Sequence, residues 1–336
     1  MNNSRKINID MARILACLAV VLLHTTARTI YLYETTDIVT FSIANLLNSA
    51  TRWCVPVFIM LSGALLLSKP IEGVGDFFIK RVRVIVFPAI FWTAAYLWWR
   101  VRYYNESPSL LWIGKEIFNT TPYYHLYFLY LIFGLYVFTP AFAVIVAYLN
   151  PRVTIKLSIV AISFAALLVV SSGMTLNLVT HFLPYIGYFL LGGVLVKNPW
   201  RLCYVLPGFL ISVLITALMT FVMLKAYGPM GKWGLYFYNY FSPTVVIMSI
   251  CVFCLFIGIR WSLKWQPVAS LLAPLTLGIY LLHPMVLEWI RWQWTAYFPV
   301  FLQPRFEIPL SFMLTSFVST VLVFFLRKIP MGRWIT

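Results

Sequence analysis

The chain is poor in charge, and acidic side chains are the scarcest of its charged residues. Only 10% of its 336 residues are charged, and Asp and Glu together number nine. A soluble globular domain carries about 25% charged residues, whereas 62% of this chain is hydrophobic and its mean hydropathy is +0.89. The composition therefore excludes a soluble protein and predicts an all-α, polytopic membrane protein.

Carboxylates are also missing from the deep parts of the apolar runs. Asp10 stands at the foot of the first run, where we expect it to act as the N-cap of a helix. Glu288 stands near the outer end of a later run. A mechanism that needs two buried acids, or a proton-coupled transporter with an acid at mid-membrane, therefore lacks its residues.

Metal-site and nucleotide-loop patterns are absent as well. The five cysteines lie in or beside apolar runs, and the Cys251–Cys254 pair has neither a second pair nor a nearby histidine. A zinc site takes about four ligands, so we interpret the cysteines as small packing residues and expect no metal. Without a Walker loop or a GxGxxG run, arginines would have to hold any nucleotide-containing ligand.

Ten apolar runs come near the roughly 20 residues that a bilayer requires of a helix. They predict one membrane domain over residues 1–336, with spans at about 12–32, 46–67, 84–101, 124–147, 157–173, 183–197, 202–224, 243–259, 271–290 and 309–327. On this topology, 16 of the 25 Lys and Arg residues fall on the side that holds both termini, and nine fall on the other. The positive-inside rule then places both termini in the cytoplasm.

The net charge of +16 fits the same rule, since basic loops meet anionic lipid. We therefore expect membrane lipids, and no nucleic acid, as partners; the sequence leaves the oligomeric state open. Two longer outer connections, 102–123 and 225–242, are rich in Tyr and Trp. They fit either an interfacial aromatic belt or a surface for sugar or lipid.

A basic residue and a histidine lie inside the first apolar run. Arg13 and His24 are eleven positions apart, so on a helix they share one stripe and are separated by about 16 Å along the axis. Polar groups of this kind in hydrocarbon usually line a path or a site. The predicted topology places the other histidines, His125, His181 and His283, in the outer half too. Imidazole is the usual general base, and His24 is the strongest candidate.

The densest basic cluster, Lys80-Arg81-Val-Arg83 before Pro88, is predicted to lie in the inner loop after the second span. Positive-inside topology alone explains charge at this place. Arg81 and Arg83 are also suited to phosphate, because the guanidinium forks onto pairs of oxygens.

These residues together resemble the integral-membrane acyltransferase family 3, whose members O-acylate cell-envelope glycans and some small molecules. Four segments carry the resemblance in the family's order: Asp10-x-x-Arg13 with His24 after ten more residues, Val55-Pro56 through Ser62-Gly63, Arg81-Val-Arg83 with Pro88, and Tyr124-His125-Leu126-Tyr127 with Gly278-Ile-Tyr280-Leu-Leu-His283 late in the chain. One departure is Tyr127, where the family commonly has tryptophan.

The resemblance implies a multi-pass enzyme of the bacterial inner membrane that uses cytoplasmic acetyl-CoA. The acceptor would be a sugar hydroxyl of an envelope glycan or of its lipid-linked precursor. The donor would be bound by Arg13, Lys80, Arg81, Arg83 and Ser62. The catalytic candidates are His24 as general base, supported by Asp10, Arg13, His125, Tyr127, Tyr280 and His283.

Two other classes of protein stay open from the residues alone. A transporter or flippase for a lipid-linked glycan would also have a polar path and a basic mouth, but the chain shows no internal repeat and no deep carboxylate. A scaffold of an envelope-synthesis complex would leave Arg13 and His24 unexplained. Direct transfer and an acyl-histidine relay are equally compatible with the sequence.

Overall fold

The structure is a computed structural model that describes residues 3–68, 71, 73–172, 176–259 and 261–336, with side chains omitted at 3–5 and 172. Lys69 and Arg260, which the charge count assigned to inner connections, lie outside the described residues, as does the side chain of Arg5. Within the described ranges the secondary structure is entirely helical, which confirms the predicted all-α class.

Membrane-length helices account for most of the predicted spans. Eight described segments are long and apolar enough to cross a bilayer: Lys6–Tyr31, Ile38–Leu66, Val74–Tyr104, Pro151–Ser171, Leu202–Tyr227, Tyr236–Gly258, Leu263–Tyr297 and Pro304–Leu326. A ninth forms if Tyr127–Val137 and Thr139–Tyr148, bent by 59° at Phe138, are one span. The predicted span at 183–197 corresponds to a shorter apolar helix, Leu183–Leu195. Which side of the membrane holds the termini stays a prediction.

The chain separates into two compact units, of which the first holds Met1–Leu61 and Asn198–Phe325. Its helices are α1 (Asn3–Tyr31), α2 (Ile38–Thr51), the start of α3 (Cys54–Leu66), α11 (Leu202–Tyr227), α12 (Pro243–Gly258), α13 (Gln266–Leu272), α14 (Thr276–Tyr297) and α15 (Pro304–Leu326). Helix α1 is central. Its first half packs Met11 against Ala273, and its second half packs Val21 against Ile279 and Val323.

The second unit holds Ser62–Lys197 and Leu326–Thr336. Its helices are the end of α3, α4 (Val74–Arg81), α5 (Phe87–Tyr104), α6 (Leu110–Phe118), α7 (Tyr127–Val137), α8 (Thr139–Tyr148), α9 (Pro151–Ser172), α10 (Ile186–Leu195) and α16 (Gly332–Ile335). Helices α3 and α10 approach closely, because a Cβ on Gly63 would lie 1.9 Å from the carbonyl oxygen of Phe189.

Two predicted local features are wrong. Asp10 is not an N-cap, because α1 begins seven residues earlier, at Asn3, and Asp10 lies inside it. The segment with Lys80, Arg81 and Arg83 is not a loop, because α4 and α5 join through a π-helical turn over Val82–Val86 into one continuous helix.

Candidate functional site

Helix α1 carries the intramembrane pair that the sequence singled out. It runs without a break from Asn3 to Tyr31, so Arg13 and His24 share a stripe of one rigid element. The charge of Arg13 acts on Asp10, one turn earlier. At His24 the partner is on α14: the ring centroids of His24 and His283 are 5.3 Å apart, and their planes differ by 32°. Of the catalytic candidates, the structure brings these two imidazoles together in the first unit.

The His283-Pro284 sequence fixes the protonation pattern of one imidazole. Proline has no N–H and cannot donate to the carbonyl four residues earlier, which here belongs to Tyr280. Nδ1 of the fully buried His283 lies 2.6 Å from that carbonyl oxygen. Since a carbonyl can only accept, Nδ1 carries the proton and donates, and Nε2 of the neutral ring keeps its lone pair. His283 is therefore suited to accept a proton at Nε2.

An arginine lies within a membrane-length segment beside these histidines. Arg52 stands at the break between α2 and α3, inside the 29-residue segment Ile38–Leu66. Its Nε donates to Oδ1 of the buried Asn48 at 2.8 Å, and its Nη2 donates to the same oxygen. Its guanidinium lies 3.9 Å over the ring of Tyr238. Arg52 and Arg291 both interact electrostatically with His24.

Asparagines connect this arginine to the helix that carries His24. Nδ2 of Asn48 donates to the carbonyl oxygen of Leu23 at 3.1 Å and to the hydroxyl of Thr26 at 2.8 Å. The hydroxyl of Tyr238 donates to Oδ1 of Asn45 at 2.6 Å. The network therefore contacts α1 on both sides of His24, at the carbonyl of Leu23 and at the side chain of Thr26.

A buried carboxylate holds two further arginines together. Glu307, 1% exposed, lies 3.2 Å from Arg28 on α1 and 2.7 Å from Arg291 on α14. Nη2 of Arg291 also donates to the carbonyl oxygen of Thr25 at 3.2 Å, directly after His24. Because α15 begins at Pro304, Glu307 belongs to a membrane-length helix. It lies in the first turn of that helix, so the expectation that no carboxylate lies deep in a span is not contradicted by this residue.

Of the residues proposed for the donor, Arg13 lies in the first unit, and Ser62, Lys80, Arg81 and Arg83 lie in the second. Pro88 cannot donate to the carbonyl of Val84, and the helix widens there, so that the N–H of Phe87 reaches the carbonyl of Val82. Such π turns are frequent at functional sites. Arg81 lies 5.2 Å from the ring centroid of Phe77 and 5.5 Å from that of Tyr136. Nε of Arg81 is buried and lacks a hydrogen-bond partner among the described residues, while Lys80 and Arg83 are exposed. The guanidinium of Arg81 is planar and basic, and its Nε is free to donate a further hydrogen bond. Its chemistry therefore suits a phosphate group.

The remaining candidates occupy aromatic surroundings in the second unit. His125 is buried and meets the rings of Tyr96 and Tyr124 at 4.9 and 5.5 Å. Tyr127 stacks on His181 at 5.2 Å. Ser62 precedes Gly63, whose lack of a side chain lets α3 approach α10, so this Ser-Gly segment has a packing reason beside any role with the donor.

In the described parts of the chain, His, Cys, Asp and Glu form no group of three suited to a cation. The five cysteines are free thiols, and four of them are buried. Cys17 donates to the carbonyl oxygen of Thr276 at 3.4 Å, as a packing residue would.

Sequence reasoning missed Arg52, Asn48, Glu307 and Arg291 as members of one polar cluster. A signal was present for Arg52, because a basic residue six positions into the predicted span 46–67 resembles Arg13 in the first span. Glu307 was hidden because the apolar run after it begins at Pro309, whereas the helix begins five residues earlier.

The helical fold and the membrane-length apolar helices define the chain as a polytopic membrane protein, with buried polar side chains among its helices. A family model described as an acyltransferase domain, that of acyltransferase family 3, matches residues 6–327. The chain therefore belongs to this family and is a membrane acyltransferase. No curated protein and no solved structure matches the chain significantly.

Proposed function

We propose that the protein is an O-acetyltransferase that moves an acetyl group from cytoplasmic acetyl-CoA to a sugar hydroxyl of a cell-envelope glycan or its lipid-linked precursor. The observation that carries the proposal is the pairing of His24 and His283, whose rings are 5.3 Å apart. A hydroxyl is a weak nucleophile at neutral pH, and a base close to it is what acyl transfer requires.

In the proposed reaction, His24 removes the proton of the acceptor hydroxyl as its oxygen attacks the thioester carbonyl. The carbon–oxygen bond forms, and negative charge develops on the carbonyl oxygen. Collapse of this intermediate breaks the carbon–sulfur bond, and the CoA thiolate takes the proton back from the imidazolium. His283, which presents a lone pair at Nε2, is placed to share that proton with His24.

Developing negative charge needs donors fixed beforehand. The guanidinium of Arg52, oriented by Asn48 and Tyr238, is a cation already in place near His24. Arg52 is therefore a candidate for this role, as are Tyr127, Tyr280, His125 and His283. Its replacement by Lys should restore little of the activity lost in Arg52→Ala, because lysine cannot make the paired bonds to Asn48.

For the donor, Arg81 and Arg83 are proposed to bind the CoA phosphates, with Lys80 adding positive charge. Arg81→Ala and Arg83→Ala should raise the KM for acetyl-CoA, and added salt should imitate part of the effect. Arg152→Ala, a matched change of an exposed arginine on α9, should leave KM unchanged. Unchanged KM in both of the first two variants would place the phosphates elsewhere.

The acceptor is proposed from resemblance alone. The stretch Ile43-Ala-Asn45-Leu-Leu-Asn48-Ser49 and the Tyr124-His125 pair resemble segments of the O-acetyltransferase that acts on enterobacterial common antigen, and this resemblance supports the proposed acceptor. The cell inner membrane is the corresponding location.

Vesicles of defined orientation test the proposed function. Inside-out vesicles receive labelled acetyl-CoA on the exposed face and acceptor sugar in the lumen. We expect labelled lumenal acceptor and free CoA outside, with turnover reduced about 10² to 10⁴-fold in His24→Ala. His181→Ala is the matched control and should keep most of its turnover. Movement of the glycan without release of CoA would instead make the protein a flippase.

A further inference from the structure

Three buried hydroxyl groups on α15 take no part in the proposed proton transfer. Ser311, Thr315 and Ser319 are each 0% exposed, and their hydroxyl oxygens lack a hydrogen-bond partner among the described residues. They stand four positions apart and so form a row about 12 Å long on one face of the helix, which we call the hydroxyl row. Buried polar groups are nearly always hydrogen-bonded, so this row calls for a ligand or another explanation.

The usual partner of a hydroxyl in a helix is the carbonyl oxygen four residues earlier. On the same helix, Thr320 donates to the carbonyl of Ser316 at 2.7 Å. Thr216 on α11 and Ser249 on α12 make the equivalent bonds at 2.7 and 2.6 Å. The hydroxyls of the row do not bond to their own helix in this way, so they are available to a group that lies across the helix interface.

The hydroxyl row faces the two helices that carry the histidine pair. On one flank, Leu310 and Val318 pack against the apolar cluster of α14 that contains Ile290. On the other flank, Val323 packs in a cluster with Val21 of α1. At 100° per residue, positions 311, 315 and 319 lie between these flanks. The row is therefore directed between α1 and α14.

The Ser311 end of the row lies at the level of His24. One turn before Ser311, the carboxylate of Glu307 is 2.7 Å from Nε of Arg291. Nη2 of the same arginine donates to the carbonyl oxygen of Thr25 at 3.2 Å, directly after His24. This end of the row is consequently the one closer to the proposed proton transfer.

The other end of the row lies along the first half of α1. One turn beyond Ser319, Val323 packs in one apolar cluster with Cys17, which is a single turn after Arg13. Helices α15 and α1 thus run antiparallel, and the row follows α1 from the level of His24 toward that of Arg13. In the predicted topology this direction leads to the cytoplasmic side.

We propose that the hydroxyl row binds the amide groups of the pantetheine arm of the acyl donor. The inference rests on the proposed function, because the arm is the part of acetyl-CoA that must extend from the cytoplasmic side to a thioester at His24. A hydroxyl both donates and accepts, and so does an amide. Successive hydroxyls about 6 Å apart suit the two amides of the arm, which a short ethylene link separates. Ser311 meets the amide next to the sulfur, and Thr315 and Ser319 meet the more distant groups.

Thioesters of different length test this assignment on the full-length protein in nanodiscs. S-acetyl-N-acetylcysteamine keeps the thioester and the amide next to the sulfur but lacks the rest of the arm. We expect Thr315→Val and Ser319→Ala each to raise the KM for acetyl-CoA about fivefold with kcat unchanged, and to leave kcat/KM for the short thioester unchanged. Thr320→Val is the matched control, since its hydroxyl has a partner within the helix, and it should behave like wild type with both donors.

Stability distinguishes a binding role from a packing role. Removal of a buried hydroxyl that has no partner should leave the Tm of the protein without donor unchanged or raise it. The increase in Tm that acetyl-CoA produces should then be smaller in Thr315→Val than in wild type. A lower Tm without donor, together with equal kinetic losses for both thioesters, would overturn the proposal. So would an unchanged KM for acetyl-CoA in both Thr315→Val and Ser319→Ala.

A binding measurement separates this inference from the proposed function. The probe is an acetyl-CoA analogue in which a methylene group replaces the thioester sulfur, so that no transfer can occur. His24→Ala should keep the wild-type Kd for the analogue and lose turnover, whereas Thr315→Val should weaken the Kd about fivefold. An unchanged Kd in Thr315→Val, with His24→Ala inactive, would overturn the assignment of the row and leave the proposed function standing. Wild-type protein that neither binds the analogue nor releases CoA would refute both.

Discussion

The imidazole rings of His24 on α1 and His283 on α14 lie 5.3 Å apart, although the two residues are at opposite ends of the sequence. One of them has a defined tautomer, since Nδ1 of His283 donates to the carbonyl oxygen of Tyr280. The next residue, Pro284, is the reason that this carbonyl lacks a helical donor. The local sequence His283-Pro284 therefore sets the tautomer of His283, and the tertiary fold brings that ring beside His24.

This relationship makes Pro284→Ala an informative substitution. Alanine restores an N–H that competes with His283 for the carbonyl of Tyr280, so the preference for the Nδ1–H tautomer weakens. Loss of one hydrogen bond worth about 1.4 kcal/mol corresponds to about tenfold in turnover. We expect that decrease in kcat with little change in the KM for acetyl-CoA, in purified protein assayed by CoA release.

Pro207→Ala serves as the control. Pro207 also lies inside a helix, α11, but the residue directly before it is Leu206 and not a histidine. It should leave kcat unchanged. Both variants regain a helical donor, so equal kinetic effects from the two would show that helix straightening, and not the histidine tautomer, controls the rate.

The ion pairs of Glu307 with Arg28 and Arg291 are expected to contribute to the free energy of unfolding. Its carboxylate is 1% exposed and lies between Arg28 and Arg291, so Glu307→Gln removes the charge that compensates both guanidinium groups. The side chains of Arg28 and Arg291 are 40% and 20% exposed, so water compensates part of the lost attraction, and we expect a loss of about 2 kcal/mol in the free energy of unfolding. Thermal unfolding in detergent measures it. Glu34→Gln, the same change at an exposed loop residue, should cost less than about 0.5 kcal/mol; a similar loss there would refute the role given to Glu307.

Much of the fold follows from the sequence, and less of the site does. Apolar run length places the membrane helices, because a bilayer demands about 20 apolar residues of each. Helical spacing likewise places Arg13 and His24 on one stripe. What sequence could not supply is the partner across helices, such as Asn48 with Arg52 or Glu307 with Arg291. Helices also extend beyond their apolar runs, as α1 does by beginning before Asp10. Polar residues at such helix ends are therefore easily taken for loop residues when only the sequence is known.

Gly63 predicts a packing effect in the second unit. A Cβ there would stand 1.9 Å from the carbonyl oxygen of Phe189, which is backbone and cannot rotate away. Gly63→Ala should therefore force α3 and α10 apart and destabilise the protein by about 3 kcal/mol, seen as a lower Tm. Gly75→Ala on α4 is the matched change, because nothing lies within 4 Å of a Cβ there. It should be neutral or stabilise by up to about 1 kcal/mol, and a Gly63→Ala protein with unchanged Tm would contradict the close approach.

His181 predicts a pH dependence of stability. It lies in the turn before Leu183, where the hydroxyl of Thr120 and Nδ1 of His181 share a hydrogen bond of 2.6 Å and Tyr127 stacks on the ring. Burial lowers the pKa of His181 from its ordinary 6.5 to about 4. Between these values the unfolded chain binds a proton that the folded protein does not, so this residue's contribution to stability is present above pH 6.5 and is lost as the pH falls toward 4.

His181→Gln keeps a polar group beside Thr120 and does not titrate. We expect the Tm of wild type to fall by about 3 °C more than that of His181→Gln between pH 7 and about pH 4.5. Carboxylates titrate equally in both proteins, so the comparison isolates the imidazole, and parallel Tm curves would show that His181 is accessible enough to be protonated in the folded state.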